Sequence, residues 1–296
     1  MQGKIIKGIA GFYYIYAEDG NLYECKARGN LRNKKITPLV GDDVDMVVTD
    51  VSQYKGSLES IQKRNNSLIR PAVANVDQAL IFFARNNPEP NMGLVDRLLI
   101  TMEKLDIPCI IAFNKSDLQA AGGEDFVLEQ EAYRKAGYTV LDVCVSTGEG
   151  IDELKELLVD KTTTLAGPSG AGKSSLINLL CPDAAMETGT VSDKLGRGRH
   201  TTRHAEILVM QKDSFIVDTP GFTSFELFDI EPEDLSFYYP EFAEFAGCCK
   251  FNTCSHTHEP GCAVVAAVED GELSRLRYDR YAANYEELKL KKKYQY

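Results

Sequence analysis

The stretch Gly167-Pro168-Ser169-Gly170-Ala171-Gly172-Lys173-Ser174 matches the pattern G-x-x-x-x-G-K-[ST], and it lies between a strand-like and a helix-like segment. In that context the pattern binds phosphate, because its glycines let successive backbone N–H groups surround an anion at a helix N-terminus. We expect Lys173 to reach the β- and γ-phosphates and the Ser174 hydroxyl to coordinate Mg²⁺. Ser175 is expected to complete this part of the nucleotide site.

Strand and helix patterns alternate on both sides of this loop, from about residue 76. Strands are expected at 78–84, 109–113, 138–145, 163–166, 205–210 and 214–217, and helices at 94–105, 124–136, 151–159 and 174–180. This alternation is typical of an α/β fold with a largely parallel sheet and helices on both faces. In such folds ligands bind beyond the carboxyl ends of the strands.

A second polar motif, Asn114-Lys115-Ser116-Asp117, follows the apolar strand 109–113. A carboxylate at that place accepts both the N1–H and the exocyclic amine of guanine, and adenine has no such donor pair. We therefore expect Asp117 to select guanine, with Asn114 supporting it by hydrogen bonds and the stem of Lys115 packed along the base. Ser146, after the next strand, is expected to back the base, although an ordinary polar turn explains it nearly as well.

A third motif, Asp218-Thr219-Pro220-Gly221, follows the apolar residues 215–217. A carboxylate there can hold Mg²⁺ through water, and the Gly221 N–H can sense the γ-phosphate and move when it leaves. Between this motif and the phosphate loop lies the glycine- and arginine-rich segment 196–202. We expect Thr201 or Thr202, with a slight preference for Thr202, to reach Mg²⁺ when GTP is bound.

Charge is distributed unevenly along the chain. The chain has 33 basic and 44 acidic residues, a net charge of −11, which argues against a protein that coats nucleic acid. Residues 1–70, however, hold 11 basic and 8 acidic residues, net +3. Strand patterns at 13–16, 21–25 and 44–48 predict a five-stranded OB-type barrel there. RNA binding and a solvated surface explain its basic residues equally well.

The opposite flank carries a cluster of metal-ligating residues after a helical and aromatic segment that starts near residue 226. Four of the eight cysteines lie within the fifteen residues 248–262, together with His256 and His258. Such clustering is typical of a metal site rather than of a disulfide framework. A hydrophobic content of 44% and a charged content of 26% exclude disorder and a collagen-like chain. We expect a cytoplasmic protein without a membrane span.

The order of the motifs is permuted. In ordinary small GTPases the phosphate loop comes first and N-K-x-D comes late, whereas here Asn114–Asp117 and Ser146 precede the phosphate loop. With the barrel before it and the Cys/His cluster after it, the chain resembles, over essentially its whole length, the RsgA (YjeQ/YloQ) family of circularly permuted GTPases. The resemblance implies an OB-type RNA-binding domain at 1–70, a circularly permuted α/β P-loop GTPase domain at 71–225 and a helical zinc-binding domain at 226–296.

The resemblance also implies a function and a zinc site. It implies GTP hydrolysis in late maturation of the 30S ribosomal subunit, contact with 16S rRNA and stimulation by that particle, and we expect a monomer. The family binds one zinc through C-x4-C-x-H-x5-C, which is matched here by Cys249, Cys254, His256 and Cys262. Three thiolates and one imidazole leave no open position, so the zinc would be structural. Cys248 or His258 could substitute for a member of the quartet.

Hydrolysis requires a positioned water molecule. The loop amides, Lys173 and Mg²⁺ would stabilise the charge that develops on the γ-phosphoryl group. Many GTPases place a glutamine just after D-x-x-G, but Phe222 stands there and cannot orient water. We expect His200 to take that role, and an exposed polar side chain is the alternative.

Two other classes of function compete with the GTPase. A P-loop kinase for a small molecule would need an acceptor pocket and would not need Asn114–Asp117. A non-catalytic RNA-binding adaptor would use nucleotide only structurally.

Overall fold

The computed structural model describes residues 1–28, 37–68, 72–182, 206–218, 227 and 229–294. In these ranges the strands are β1 Gln2–Ile9, β2 Phe12–Ala17, β3 Leu22–Ala27, β4 Asp43–Asp50, β5 Lys55–Ile61, β6 Ser67–Leu68, β7 Val73–Ala74, β8 Gln78–Ala84, β9 Cys109–Asn114, β10 Thr139–Asp142, β11 Thr162–Ala166, β12 Glu206–Gln211 and β13 Ser214–Asp218. The α-helices are α1 Met92–Lys104, α2 Glu124–Lys135, α3 Ile151–Leu158, α4 Lys173–Leu180, α5 Ala263–Glu269 and α6 Arg275–Tyr294. Two 3-10 helices span Pro232–Tyr238 and Pro240–Phe245.

The first five strands close into a barrel in the order β1-β2-β3-β5-β4, which confirms the predicted OB-type barrel. β3 and β5 run parallel and the other neighbouring pairs run antiparallel. Apolar residues alternate inward along the strands, so that Ile15, Val44 and Leu58 are fully buried in the barrel core.

A six-stranded sheet has the order β10-β9-β8-β11-β13-β12. β9 and β10 pair in parallel, as do β11 and β13, whereas β12 and β13 form an antiparallel hairpin. Every residue of β8 and of β11 is buried, as expected for central strands of a parallel sheet covered on both faces. The α/β architecture predicted from the alternating pattern is thus confirmed.

The strand predicted at 138–145 is wrong in its extent, because β10 ends at Asp142. Val143 still donates its N–H to the Phe113 carbonyl of β9 at 2.9 Å, and beyond that bond the backbone pairs with loops instead. The Ser116 N–H donates to the Val143 carbonyl at 3.1 Å, and the Cys144 N–H donates to the Glu149 carbonyl at 2.9 Å. The residues that the apolar pattern assigned to a strand therefore form the loop that carries Ser146.

Two compact units make up the described part of the chain. The first contains the described residues of Met1–Leu80, Ile151–Ala166 and Gly172–Phe222. The second contains those of Ile81–Gly150, Gly167–Ala171 and Thr223–Tyr296. The division into domains 1–70, 71–225 and 226–296 stays a prediction.

The carboxyl-terminal part of the second unit packs around its own aromatic core. Leu235, Tyr239 and Tyr281 are almost completely buried there, together with Ile100 of α1. The sequence pattern predicts the last helix over residues 271–293, but α6 begins at Arg275, because residues 271–273 cap α5. The N–H groups of Glu272 and Leu273 both donate to the carbonyl of Ala267. Within the described residues no helix is both long enough and apolar enough to cross a membrane.

A buried ion cluster joins α6 to α1 and α2 inside the second unit. Arg277 Nη1 lies 2.6 Å from Asp96 Oδ1, and Arg280 Nη2 lies 2.7 Å from Glu129 Oε2. Arg280 also bonds to Asp96, and Arg277 bonds to Glu241. The side chains of Asp96 and Arg277 are 1% and 4% exposed, so this cluster is shielded from water.

Candidate nucleotide and metal sites

The phosphate loop runs from the end of β11 to the start of α4, as the motif requires. Gly167 has a φ of 153°, and a Cβ atom on it would lie 2.0 Å from the carbonyl oxygen of Phe82. A side chain at this position is therefore excluded by the backbone of β8. Gly172, with a φ of 99°, precedes the first residue of α4, and its carbonyl accepts the Leu176 N–H at 3.0 Å. The strand, loop and helix predicted from the sequence are all present.

Asn114 connects the base motif, residues 114–117, to the phosphate loop by a hydrogen bond. It is the last residue of β9, and its side chain is buried. Its amide donates to the Ala171 carbonyl at 2.8 Å, and its Oδ1 accepts the Val145 N–H at 3.1 Å. The sequence predicted that Asn114 would support Asp117 by hydrogen bonds. The observed hydrogen bonds instead hold together the two loops on either side of the base motif.

Asp117 has a partner that the sequence did not predict. It is exposed, and its Oδ1 accepts a hydrogen bond from the thiol of the buried Cys144 at 3.1 Å. The same sulfur lies 3.1 Å from the Ser146 hydroxyl, so the loop after β10 contacts the base motif through Cys144. The signal in the sequence that could have predicted this contact is the cysteine two residues before Ser146. The two residues between Asn114 and Asp117 have partners of their own. Ser116 donates its hydroxyl to Glu149 at 3.1 Å, and the Lys115 ammonium bonds to the Asn87 carbonyl.

In the other unit, Asp218 and Lys173 attract each other. Burial raises the pKa of Asp218, the carboxylate of Glu206 raises it further, and the positive charge of Lys173 lowers it. Conversely, burial lowers the pKa of Lys173 while Asp218 opposes that shift. The ammonium of the phosphate loop and the carboxylate of the third motif are thus close enough to interact electrostatically.

Oxygen donors at these positions suit Mg²⁺. Ser174 and Ser175 are exposed at the start of α4, and Asp218 is the last residue of β13. A hydroxyl and a carboxylate are the hard oxygen ligands that Mg²⁺ prefers. His200, Thr201, Thr202, Gly221 and Phe222 lie outside the described residues, so their expected roles stay predictions.

The Cys/His cluster does come together in space. The ligand atoms of Cys249, Cys254, His256 and Cys262 all lie within 4.8 Å of one another. Cys249 Sγ is 3.9 Å from Cys262 Sγ, and His256 Nδ1 is 3.5 and 3.4 Å from these two sulfurs. Tetrahedral zinc with zinc–sulfur bonds of about 2.3 Å places its sulfur ligands roughly 3.8 Å apart. The quartet therefore fits zinc in both chemistry and spacing.

The two possible substitutes are engaged elsewhere. Cys248 is exposed, and its sulfur faces the carbonyls of Glu244 and Ala246. His258 Nδ1 lies 2.8 Å from the Thr257 hydroxyl. The structure thus favours the named quartet over any set that includes Cys248 or His258.

The metal loop is held from several sides. The N–H of Ala263 donates to Cys249 Sγ at 3.3 Å at the start of α5. The hydroxyl of Tyr281 in α6 donates to the Ser255 carbonyl at 2.6 Å, and Glu259 accepts both the N–H and the hydroxyl of Ser255. Burial raises the pKa of the Cys254 thiol to about 12, against a backbone hydrogen bond from His256 that lowers it. Metal binding would therefore release thiol protons at neutral pH.

Comparison with known proteins supplies the family. A family model described as the RsgA GTPase matches residues 61–228, and a second, described as the RsgA N-terminal domain, matches residues 2–53. The chain belongs to the RsgA GTPase family. Family membership favours the GTPase over the small-molecule kinase and the adaptor.

Similar proteins and structures support the assignment to the RsgA family. A protein of Agathobacter rectalis named small ribosomal subunit biogenesis GTPase RsgA is 50% identical, over 99% of this chain and 100% of that protein. A protein of the same name from Caldanaerobacter subterraneus is 45% identical, over 100% of this chain and 98% of that protein.

Among solved structures, that of YloQ, described as a circularly permuted GTPase, superposes with a TM-score of 0.81 at 39% identity and covers 98% of this chain and 95% of YloQ. That of YjeQ from Thermotoga maritima has a TM-score of 0.81 at 35% identity and covers 97% and 98% of the two chains. The circularly permuted fold is thereby confirmed.

Proposed function

We propose that this RsgA-family protein hydrolyses GTP during late maturation of the 30S ribosomal subunit, binds 16S rRNA and is stimulated by the particle. The observation that carries the proposal is the pair of hydrogen bonds by which the Asn114 side chain donates to the Ala171 carbonyl and accepts from the Val145 N–H. They hold a guanine-selecting motif against a phosphate loop in a chain whose motif order is permuted. The names of the RsgA relatives supply the ribosomal subunit.

The site would bind the two ends of the nucleotide by different means. The guanine would hydrogen-bond to the Asp117 carboxylate, with the stem of Lys115 and residues around Ser146 beside the ring. The phosphates would lie in the loop of residues 167–172, whose N–H groups face an anion at the start of α4. Lys173, Ser174 and Ser175 would bind the terminal phosphates, and Gly221 would contact the γ-phosphate.

The charges near Lys173 fit phosphoryl transfer to water. Bound Mg²⁺ would neutralise charge on the β- and γ-phosphates, held by Ser174, Thr202 and, through water, Asp218. Lys173 would stabilise negative charge on the γ-phosphoryl oxygens as the bond to the leaving group breaks. We propose His200 as the residue that orients the attacking water. Its position in the basic segment 196–202 would make hydrolysis depend on a partner that orders that segment.

The metal quartet would hold one structural zinc. Its four ligands close the coordination shell, which leaves no position for a substrate. In a small segment whose described residues form no sheet of their own, zinc binding would contribute directly to the free energy of folding.

The barrel would supply the contact with rRNA. Its segment, residues 1–70, is the positively charged part of an acidic chain. Phosphate contacts release counterions from RNA, so we expect the association with the particle to weaken steeply as salt rises.

Sedimentation with purified ribosomal subunits tests the proposed partner. We expect the protein, loaded with a non-hydrolysable GTP analogue, to pellet with 30S subunits at low salt and to do so less at high salt. A variant without residues 1–70 should stay in the supernatant but still bind the analogue, and 50S subunits serve as the matched control. Equal pelleting with both subunits, or none with 30S, would contradict the ribosomal part of the proposal.

A further inference from the structure

The barrel contacts the hairpin that ends at the Mg²⁺-binding motif, inside the first compact unit. The ring of Tyr16 in β2 meets the ring of Phe215 in β13 edge to face, with centroids 5.9 Å apart. The ammonium of Lys4 lies over the same ring, 5.7 Å from its centroid. Beside these contacts Lys7 of β1 forms an ion pair with Glu206 of β12, with Nζ 2.6 Å from Oε1.

Glu206 lies directly opposite Asp218. The two residues are paired in the antiparallel register of β12 and β13, so their side chains leave the same face of the hairpin. Carboxylates in such a pair repel each other unless a cation balances them. Lys7 balances Glu206 from the barrel side, and Lys173 attracts Asp218 from the phosphate loop side.

We propose that the Lys7–Glu206 ion pair links RNA binding on the barrel to Mg²⁺ binding at the nucleotide site. An RNA phosphate that pairs with Lys7 takes the countercharge away from Glu206. The freed carboxylate then adds negative charge beside Asp218 and strengthens the attraction for Mg²⁺. The inference rests on the proposed function, because it takes Asp218 as a residue that holds Mg²⁺ with GTP.

The exposure of Lys7 and Glu206 favours the replacement of Glu206 by an RNA phosphate as the partner of Lys7. The side chains of Lys7 and Glu206 are 38% and 44% exposed, and exposed ion pairs contribute little to stability. An RNA backbone offers closely spaced phosphates, and it therefore competes well for an exposed ammonium. Lys4, on the same strand, is only 13% exposed and is held by Asp43 at 2.8 Å, so it keeps the barrel in place while Lys7 exchanges partners.

The Mg²⁺ dependence of nucleotide affinity tests this link without any ribosome. Calorimetry with a non-hydrolysable GTP analogue, repeated over a range of Mg²⁺ concentrations, gives the Mg²⁺ concentration at half-maximal affinity. We expect Lys7→Met to lower that concentration roughly two- to fivefold, since it removes the charge that balances Glu206. Glu206→Gln should raise it by a similar factor. Lys26→Met removes the same charge elsewhere on the barrel and should leave it unchanged.

The double variant separates a link from a general charge effect. If the two residues are coupled, Lys7→Met should have less than half of its effect in the Glu206→Gln protein. An equal effect in both backgrounds, or no shift in the single Lys7→Met variant, would overturn the inference. Added 30S subunits should lower the Mg²⁺ midpoint of the parent protein but not that of Lys7→Met. Failure of the particles to bind the parent protein would instead overturn the proposed function, and the shifts measured without particles would stand.

Discussion

Replacing Arg277 by methionine should loosen the attachment of the last helix to the rest of its compact unit. The guanidinium is almost fully buried and pairs with Asp96 and Glu241. Burial alone would lower the pKa of Arg277, but the two carboxylates raise it well above its ordinary value, so the group stays charged. Methionine would fill much of the volume and leave both carboxylates without this partner.

The expected loss is large because the cluster is shielded from water. Removing one member of a buried ion pair costs about 3–5 kcal/mol. Arg280 continues to hold Asp96 in the variant, which places the loss near the lower end of that range. A loss of about 3 kcal/mol corresponds to an increase of roughly two orders of magnitude in the opening equilibrium that exposes backbone amides of α6.

Hydrogen exchange measured by mass spectrometry on peptides from α6 reports that opening. Arg275→Met is the matched control, since Arg275 lies in the same helix and its pair with Asp279 is long, at 3.9 Å, and more than half exposed. We expect the control to change exchange less than about fivefold, as is usual for an exposed pair. Exchange in Arg277→Met that is as slow as in the control would refute the reasoning.

Three further predictions concern the proposed sites. Asp117→Asn should weaken GTP binding by about 1–3 kcal/mol, because an amide donor then faces the guanine N1–H, and it should improve the binding of xanthosine triphosphate, both measured by calorimetry. Cys254→Ser should release zinc, as detected by elemental analysis, and leave GTP affinity unchanged, because the metal quartet lies outside residues 114–221, which carry the nucleotide motifs; a metal-free parent protein would contradict the zinc site. His200→Ala should reduce 30S-stimulated turnover more than GTP affinity, whereas His204→Ala, just after the segment 196–202, should not; equal losses would argue against His200 as the water-positioning residue.

Local patterns predicted the elements of this fold well, because the apolar spacing that defines a strand or a helix depends only on residues close to one another in the sequence. The phosphate loop, the strand before Asn114 and the closed barrel all follow from such spacing. The end of β10 did not, since it depends on a hydrogen bond donated by the Ser116 N–H and another accepted by the Glu149 carbonyl, which the apolar run 138–145 does not show.

Contacts between parts of the chain that are distant in sequence could not be predicted from local patterns. Lys7 and Glu206 are 199 positions apart, and Asp96 and Arg277 are 181 apart. Each of these side chains is typical of an exposed surface when considered alone. Only the folded chain shows that one pair balances charge beside Asp218 and that the other is buried between three helices. The thiol of Cys144 escaped for a similar reason, because its contact with Asp117 crosses from one loop to another.

Turnover of GTP with and without purified 30S subunits, at low salt and saturating Mg²⁺, tests the central claim most directly. We expect slow hydrolysis by the protein alone, strong stimulation by 30S subunits and none by 50S subunits, with the stimulation lost as salt rises. An unchanged rate with 30S subunits at low salt would contradict the account.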